Sequence, residues 1–187
     1  MSKTQITTGK IRLSYVHAFE PKEDNNGVAK YSVTLLIPKA DKQTLKKIDE
    51  ASKSAIAIFK EKNPGKKLPV NMPTTLHDGD QPKENGDDYG PECKGHMVIN
   101  VSSKNRPVIV YADKTPMTEA TELYSGCYGR AVINFYVYNT AGKIGLTAGL
   151  NGIMKLEDGV PLVGGIVTDA DWDDDFDDYD TSGSLLD

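Results

Sequence analysis

The stretch GRAVINFYVYN, residues 129–139, alternates without a break. Ala131, Ile133, Phe135 and Val137 fall on one face and Arg130, Asn134, Tyr136 and Tyr138 on the other, the two-residue period of a strand with one wet side. TAGK (140–143) supplies a tight turn, and IGLTAGLNGIMKL (144–156) returns, its glycines at 145, 149 and 152 suiting a strongly bent or bulged strand at a barrel corner. A long, curved antiparallel hairpin is the first expectation.

Upstream, KIRLSYVHAF (10–19) reads as a half-buried strand with Ile11, Leu13 and Tyr15 on the core face and Arg12 and Ser14 opposite. EPKEDNNG (20–27) carries turn chemistry, and AKYSVTLLIP (29–38) alternates again until Pro38, so the two predict a second hairpin. Between 41 and 65, Asp41 can cap a helix, Leu45, Ile48, Ala55 and Phe59 recur at helical spacing, and Asn63-Pro64-Gly65 ends it. Residues 64–95 are polar and turn-rich, a long surface loop with room for one short strand. HMVINVSSK (96–104) and PVIVYAD (107–113) add a strand and a shorter one, separated at Arg106-Pro107. Five principal strands and one helix predict a mostly β fold, a small, mostly antiparallel barrel of the oligonucleotide-binding (OB-fold) type with an inserted helix. The seven evenly spaced strands of a sandwich are not visible, and no internal repeat is present.

Charge divides the chain in two. Every Lys and Arg lies at or before Lys155, so residues 1–168 carry +4 while residues 169–187, with nine Asp and no base, carry −9, for a net −5. A mildly basic body suits a polyanion, and the acidic tail suits a basic partner or the body itself. Within the tail, Asp171, Trp172, Asp173, Asp174, Asp175, Phe176, Asp177, Asp178 and Tyr179 interleave charge with aromatic rings. Such a segment cannot build a core and is expected to be disordered alone; it reads as a solubiliser or, because the rings can anchor in a pocket, as a partner-binding tail. The domain division is therefore 1–168 and 169–187. The start, MSKTQITTGK, lacks the apolar run of a signal peptide, no segment is apolar over the length of a membrane span, and Cys93 and Cys127 are expected to be free thiols of a cytoplasmic protein.

Tyrosines on an exposed sheet face beside cations suit stacking on bases while neutralising phosphates, although they can equally cover a helix or pair across strands. Arg130, Tyr136 and Tyr138 share that face, Tyr124, Tyr128 and Lys143 are close in sequence, and Arg12, Lys30, Lys104, Arg106 and Lys114 fall on or beside strands. Cys93 and His96 have zinc half-site spacing, but Cys127 and His77 are distant and no second close pair exists. His77, Asp78, Asp80, Asp87 and Asp88 lie in a Gly-rich loop without the twelve-residue calcium pattern. No nucleophile elbow, phosphate loop or dinucleotide fingerprint occurs, so neither catalysis, a cofactor nor a metal is expected.

The segment LYSGCYGRAVINFYVYN, its Gly-rich partner IGLTAGLNGIMKLEDGVPLVGG and a tail of Asp interleaved with aromatics resemble the phage and prophage single-stranded DNA-binding proteins with an OB-fold. KIRLSYVHAFEP, YSVTLLIPK, the helix and the LHDGD loop are similar in order, so the resemblance covers nearly the whole chain. It implies a non-enzymatic protein that coats single-stranded DNA in phage replication or recombination within the bacterial host and recruits phage enzymes through its acidic C-terminus. The implied binding surface is the barrel, with Tyr124, Arg130, Tyr136 and Tyr138 as its residues. Two other readings stand beside it: a protein-interaction or host-inhibitory module whose tail mimics DNA, and a metal nuclease built on His77, Asp78, Asp80 and Asp87.

Overall fold

The computed structural model describes residues 3–162. The acidic segment 169–187, and with it the expected boundary at 168, lies outside the described residues. Eight strands and one helix follow in the order β1 (Gln5–Thr7), β2 (Ile11–Glu23), β3 (Ala29–Pro38), α1 (Lys42–Lys62), β4 (Leu76–Asp78), β5 (His96–Ser103), β6 (Val108–Val110), β7 (Tyr128–Thr140) and β8 (Lys143–Glu157). Five of them close a ring. β7 pairs antiparallel with β2 and β8, β2 with β3, β3 with β5, and β5 meets β8 through a parallel contact at Ser102 and Gly149. This is the expected five-stranded barrel with an inserted helix. Three short strands extend it: β1 on β7, β4 on β5, and β6 parallel to β8. β4 is the single strand expected inside 64–95, whereas β1, only three residues long, has no local signature.

The barrel interior is filled by Leu13, Leu35, Ile37, Ile99, Ile133, Phe135 and Leu150, all essentially inaccessible to solvent. Ile48, Ala51, Ala55 and Phe59 of α1 join the same core, with Leu45 half-buried beside them. Their spacing puts one apolar stripe on the barrel and leaves the other faces mostly to polar and charged residues, with Ile58 exposed near the C-terminal end. Asp41 caps the helix: its carboxylate accepts the Thr44 N–H at 3.1 Å and the Thr44 hydroxyl at 2.6 Å, a cap worth about 1 kcal/mol. At the other end the Asn63 side-chain amide donates to the Phe59 carbonyl at 2.9 Å. No helix among the described residues is long and apolar enough to cross a membrane.

One strand face departs from expectation. Tyr15 is not on the core face: it is 62% exposed, with a backbone φ of +46°. The β2–β3 register shifts between Ser14 and His17, so the core positions of β2 run Ile11 and Leu13, then Val16 and Ala18. The shifted residue is turned outward, as bulges do. The Gly-rich strand behaves as expected: Val132 faces Gly152 while Ile133 faces Leu150, leaving Asn151 as an extra residue that bends β8.

A candidate nucleic-acid interface

Ladder partners share a face, so the register assembles the outer surface of the barrel. Ser14, Thr34 and Asn100 form one rung across β2, β3 and β5, and Leu36, Val98 and His77 continue the next across β3, β5 and β4. Thr34 donates its hydroxyl to the Asn100 side-chain oxygen at 2.7 Å. Short polar side chains leave this floor flat, and a cleft of about 460 Å³ opens above it, rimmed by Tyr15, His77, Lys83 and Tyr89. The Lys83 ammonium sits 5.2 Å from the centre of the Tyr89 ring. Beneath Tyr89 the 3-10 turn Pro91–Cys93 covers Leu36 and Val98. Burial holds the Tyr89 phenol and the Cys93 thiol above their ordinary values, so both stay protonated at neutral pH.

The loop that walls the cleft is fastened by one lysine. Lys39 Nζ lies 2.6 Å from carboxylates of both Asp78 and Asp80, and Asp80 also accepts the Gly95 N–H at 3.0 Å. The ammonium bond holds both carboxyls below their ordinary values, and the two carboxylates raise that of Lys39. These acids are therefore turn and loop anchors.

A further rung leads around the barrel. Ser32 pairs with Ser102, Ser102 with Gly149, and Gly149 with Asn134. No side chain stands on Gly149, and the Tyr136 ring lies against it, 3.8 Å from where a Cβ would be. Tyr136 is 47% exposed, whereas Tyr138 lies over Gly145 and is half-buried. Lys143 is exposed at the turn of the same hairpin, opposite Thr140. Thus the Arg130, Asn134, Tyr136, Tyr138 face points outward as expected, and small residues connect it to the Tyr15 cleft.

The remaining candidates separate into groups. Lys30 and Lys104 flank the Tyr31–Ser103 pair at one end of β3 and β5, and the Arg106 guanidinium stacks on Phe19 at 5.1 Å. Arg130 donates through Nε to the Thr8 carbonyl at 2.8 Å. Lys114 occupies a positive-φ turn after β6. Arg12 is engaged within the fold: Nη2 donates to the Val160 carbonyl at 2.7 Å, Nε to the Gly126 carbonyl at 3.2 Å, and the guanidinium covers Tyr128. Tyr124 is similarly engaged, its hydroxyl within 3.0 Å of both Asp158 Oδ1 and the Gly159 carbonyl. Lys155, almost buried, pairs with Asp158 at 2.7 Å and Glu122 at 3.2 Å. Arg12, Tyr124 and Lys155 together strap residues 158–160 across the start of β7, and Leu162 then packs with Leu36, Cys93 and Val98.

Cys93 and Cys127 are both free and buried, Cys127 in the main core and Cys93 in the small cluster under Tyr89. The His96 ring bonds the Lys94 carbonyl through Nδ1. Among the described residues no three His, Cys, Asp or Glu side chains converge as a metal site. Nothing in the local sequence marks Tyr15, Lys83 and Tyr89 as cleft residues. The register shift that exposes Tyr15 has no local signal, and Tyr89 sits in a loop whose composition suggests only turns.

A closed five-stranded barrel with a parallel closing contact, a capping helix and an open, polar, tyrosine-flanked sheet face is the architecture of an OB-fold nucleic-acid-binding protein. The sequence profile of the single-stranded DNA-binding protein of Enterobacter phage Enc34 matches residues 4–186, and the chain belongs to that family. Protein p50 of Acyrthosiphon pisum secondary endosymbiont phage 1 is 30% identical over 181 residues, covering 91% of this chain and 93% of p50. The single-stranded DNA-binding protein of bacteriophage Enc34, solved in complex with ssDNA, superposes with a TM-score of 0.70 at 27% identity, over 87% of this chain and 91% of that one. The bacteriophage T7 single-stranded DNA-binding protein gp2.5 shares the fold, with a TM-score of 0.62 at 16% identity over 90% of this chain and 99% of that one.

Proposed function

We propose that this chain binds single-stranded DNA along the outer barrel face, from the Tyr15 cleft over the Ser32, Ser102, Gly149 rung to Tyr136 and Tyr138. The observation that carries this reading is the continuity of that surface: short side chains let a strand lie close to the sheet, and exposed tyrosines stand at both ends. Bases stack on Tyr15 and Tyr136, each stack contributing about 1–3 kcal/mol. Lys30, Lys83, Lys104, Arg106 and Lys143 neutralise phosphates, with Arg130 in a supporting position. Sequence preference is weak because every base offers a π-face. The Enc34 protein, solved with ssDNA, is the precedent for this ligand.

In this reading the protein coats single strands exposed in phage replication or recombination, in the cytoplasm of the bacterial host, without catalysis. The acidic segment 169–187 competes with DNA for the basic body and recruits replication or recombination proteins through Trp172 and Phe176. Fluorescence anisotropy of a labelled oligonucleotide tests the surface. Tyr15→Ala and Tyr136→Ala each weaken binding by about 1–3 kcal/mol while the folded circular dichroism signal persists; unchanged affinity in both variants excludes this face.

A further inference from the structure

The cations at the Tyr15 cleft are offset by acids. Lys83 there is accompanied by Glu84 and Glu92, and Lys39 nearby is taken by Asp78 and Asp80. At the end of α1, by contrast, Lys60 and Lys62 lie in the last turn and Lys66 and Lys67 in the turn that follows, where the Lys66 N–H meets the Asn63 carbonyl at 3.1 Å. All four are exposed, and none forms an ion pair among the described residues. Glu61 is the only acid between residues 51 and 67. The negative helix end accounts for cations in the last turn, but not for Lys66 and Lys67, nor for what lies beside them. A cleft of about 300 Å³ runs between the helix and β7, with Phe59 as its floor and Ile58, Lys62 and Tyr136 at its mouth. Ile58 is 39% exposed and Tyr136 47%, so an apolar slot opens directly beside the unpaired Lys62, with Lys66 and Lys67 following in the chain just beyond the helix end.

The chain carries its own complement to that surface. Residues 169–187 place Trp172, Phe176 and Tyr179 among nine aspartates. We propose that the end of α1, with the Ile58–Tyr136 slot, is the docking surface of this chain's own acidic segment: aromatic rings enter the slot and aspartates meet Lys60, Lys62, Lys66 and Lys67. The reach is sufficient. From Leu162, the residues leading to Phe176 extend up to about 45 Å at ~3.3 Å each, more than the width of a small barrel. Tethering gives the segment an effective concentration on the order of millimolar, so a weak contact is populated. The proposal rests on the reading that the tail competes with DNA, and it gives the place: the Tyr136 end of the DNA track, leaving the Tyr15 cleft open.

Trp172 is the only tryptophan in the sequence, so its emission reports on the segment in the unlabelled full chain. Acrylamide quenching at low salt compares wild type with a K60Q/K62Q/K66Q/K67Q variant and with Tyr15→Ala. Thermal melting verifies that each is folded. Four exposed ion pairs together shift the docked-to-free ratio by about tenfold. Wild type is therefore expected to show a shielded Trp172, released by oligonucleotide or by salt at about 1 M, where screening acts over ~3 Å. The lysine variant is expected to show the released value at low salt, and Tyr15→Ala the wild-type value. Release by Tyr15→Ala with retention in the lysine variant overturns the helix-end surface and leaves tail competition standing, now in the cleft. Equal quenching of wild type at low and high salt, unaffected by oligonucleotide, overturns both.

Discussion

The ring of Tyr138 lies across Gly145, its partner in the β7–β8 ladder, so closely that a methyl group on the glycine would overlap the phenol. The glycine gives the ring a seat, and the ring covers backbone that the glycine leaves bare. Gly145→Ala is expected to dislodge the half-buried Tyr138 ring and to destabilise the chain by about 1 kcal/mol, the low end of overpacking, because the ring can swing outward. In a Tyr138→Ala background the same change is expected to be milder, with a coupling of at least about 0.5 kcal/mol in a chemical-denaturation cycle. Strict additivity would show that the two residues do not act as a unit.

Tyr15 holds a left-handed backbone at φ +46° while presenting its ring to solvent. Such a conformation costs a non-glycine residue about 1–2 kcal/mol. Tyr15→Gly relieves that strain and removes the ring. The expected result is a higher melting temperature together with weaker oligonucleotide binding, a separation of stability from function.

Arg12 and Arg106 are expected to behave as opposites. Arg12→Ala removes two charge-assisted bonds, to the Val160 and Gly126 carbonyls, and its stacking on Tyr128. It lowers stability by about 1–3 kcal/mol and exposes residues 157–162 to proteolysis, while the salt dependence of DNA binding stays as it was. Arg106→Ala leaves stability nearly unchanged and reduces the slope of log affinity against log salt by about 0.7, one phosphate's worth.

The Lys39 clamp carries a pH signature. Asp78 and Asp80 titrate below their ordinary values in the folded chain, so their contribution is present at neutral pH and is lost as pH falls through those depressed values, below about 4. Lys39 titrates above its ordinary value, so its contribution is present below about 10.4 and is lost only as pH rises through the raised value. Lys39→Met is therefore expected to be less stable than wild type in urea at pH 7 and to approach it progressively as pH falls below about 4. A constant difference across that range would show that the clamp is not electrostatic.

The legible parts of this fold are those whose reading depends on near neighbours. Residues 129–139 alternate because β7 keeps one face against the core and turns the other outward along most of its length, and Ile48, Ala55 and Phe59 mark the buried stripe of α1 directly. Alternation puts Tyr15 on the core face, but the register shift before His17 moves the core frame from Leu13 to Val16, and the serine that receives the Val16 N–H at 3.2 Å, Ser125, is 109 residues away. Arg12 reads as a groove cation because its partners are equally remote in sequence. Its acceptors at 126 and 160 adjoin it only after the barrel closes. The rung Ser32, Ser102, Gly149 joins three strands distant in sequence, so no local pattern announces it, whereas the tyrosines at 136 and 138 were visible from alternation alone.

The open sheet face with its flanking tyrosines is expected to select single strands over duplex. Equal lengths of unlabelled single-stranded and blunt duplex DNA, titrated as competitors into the full chain at two salt concentrations, test it most directly. The expected result is tighter binding of the single strand at both, with affinity falling as salt rises by about 0.7 log units per log unit of salt for each phosphate neutralised. Equal or tighter binding of the duplex would contradict it.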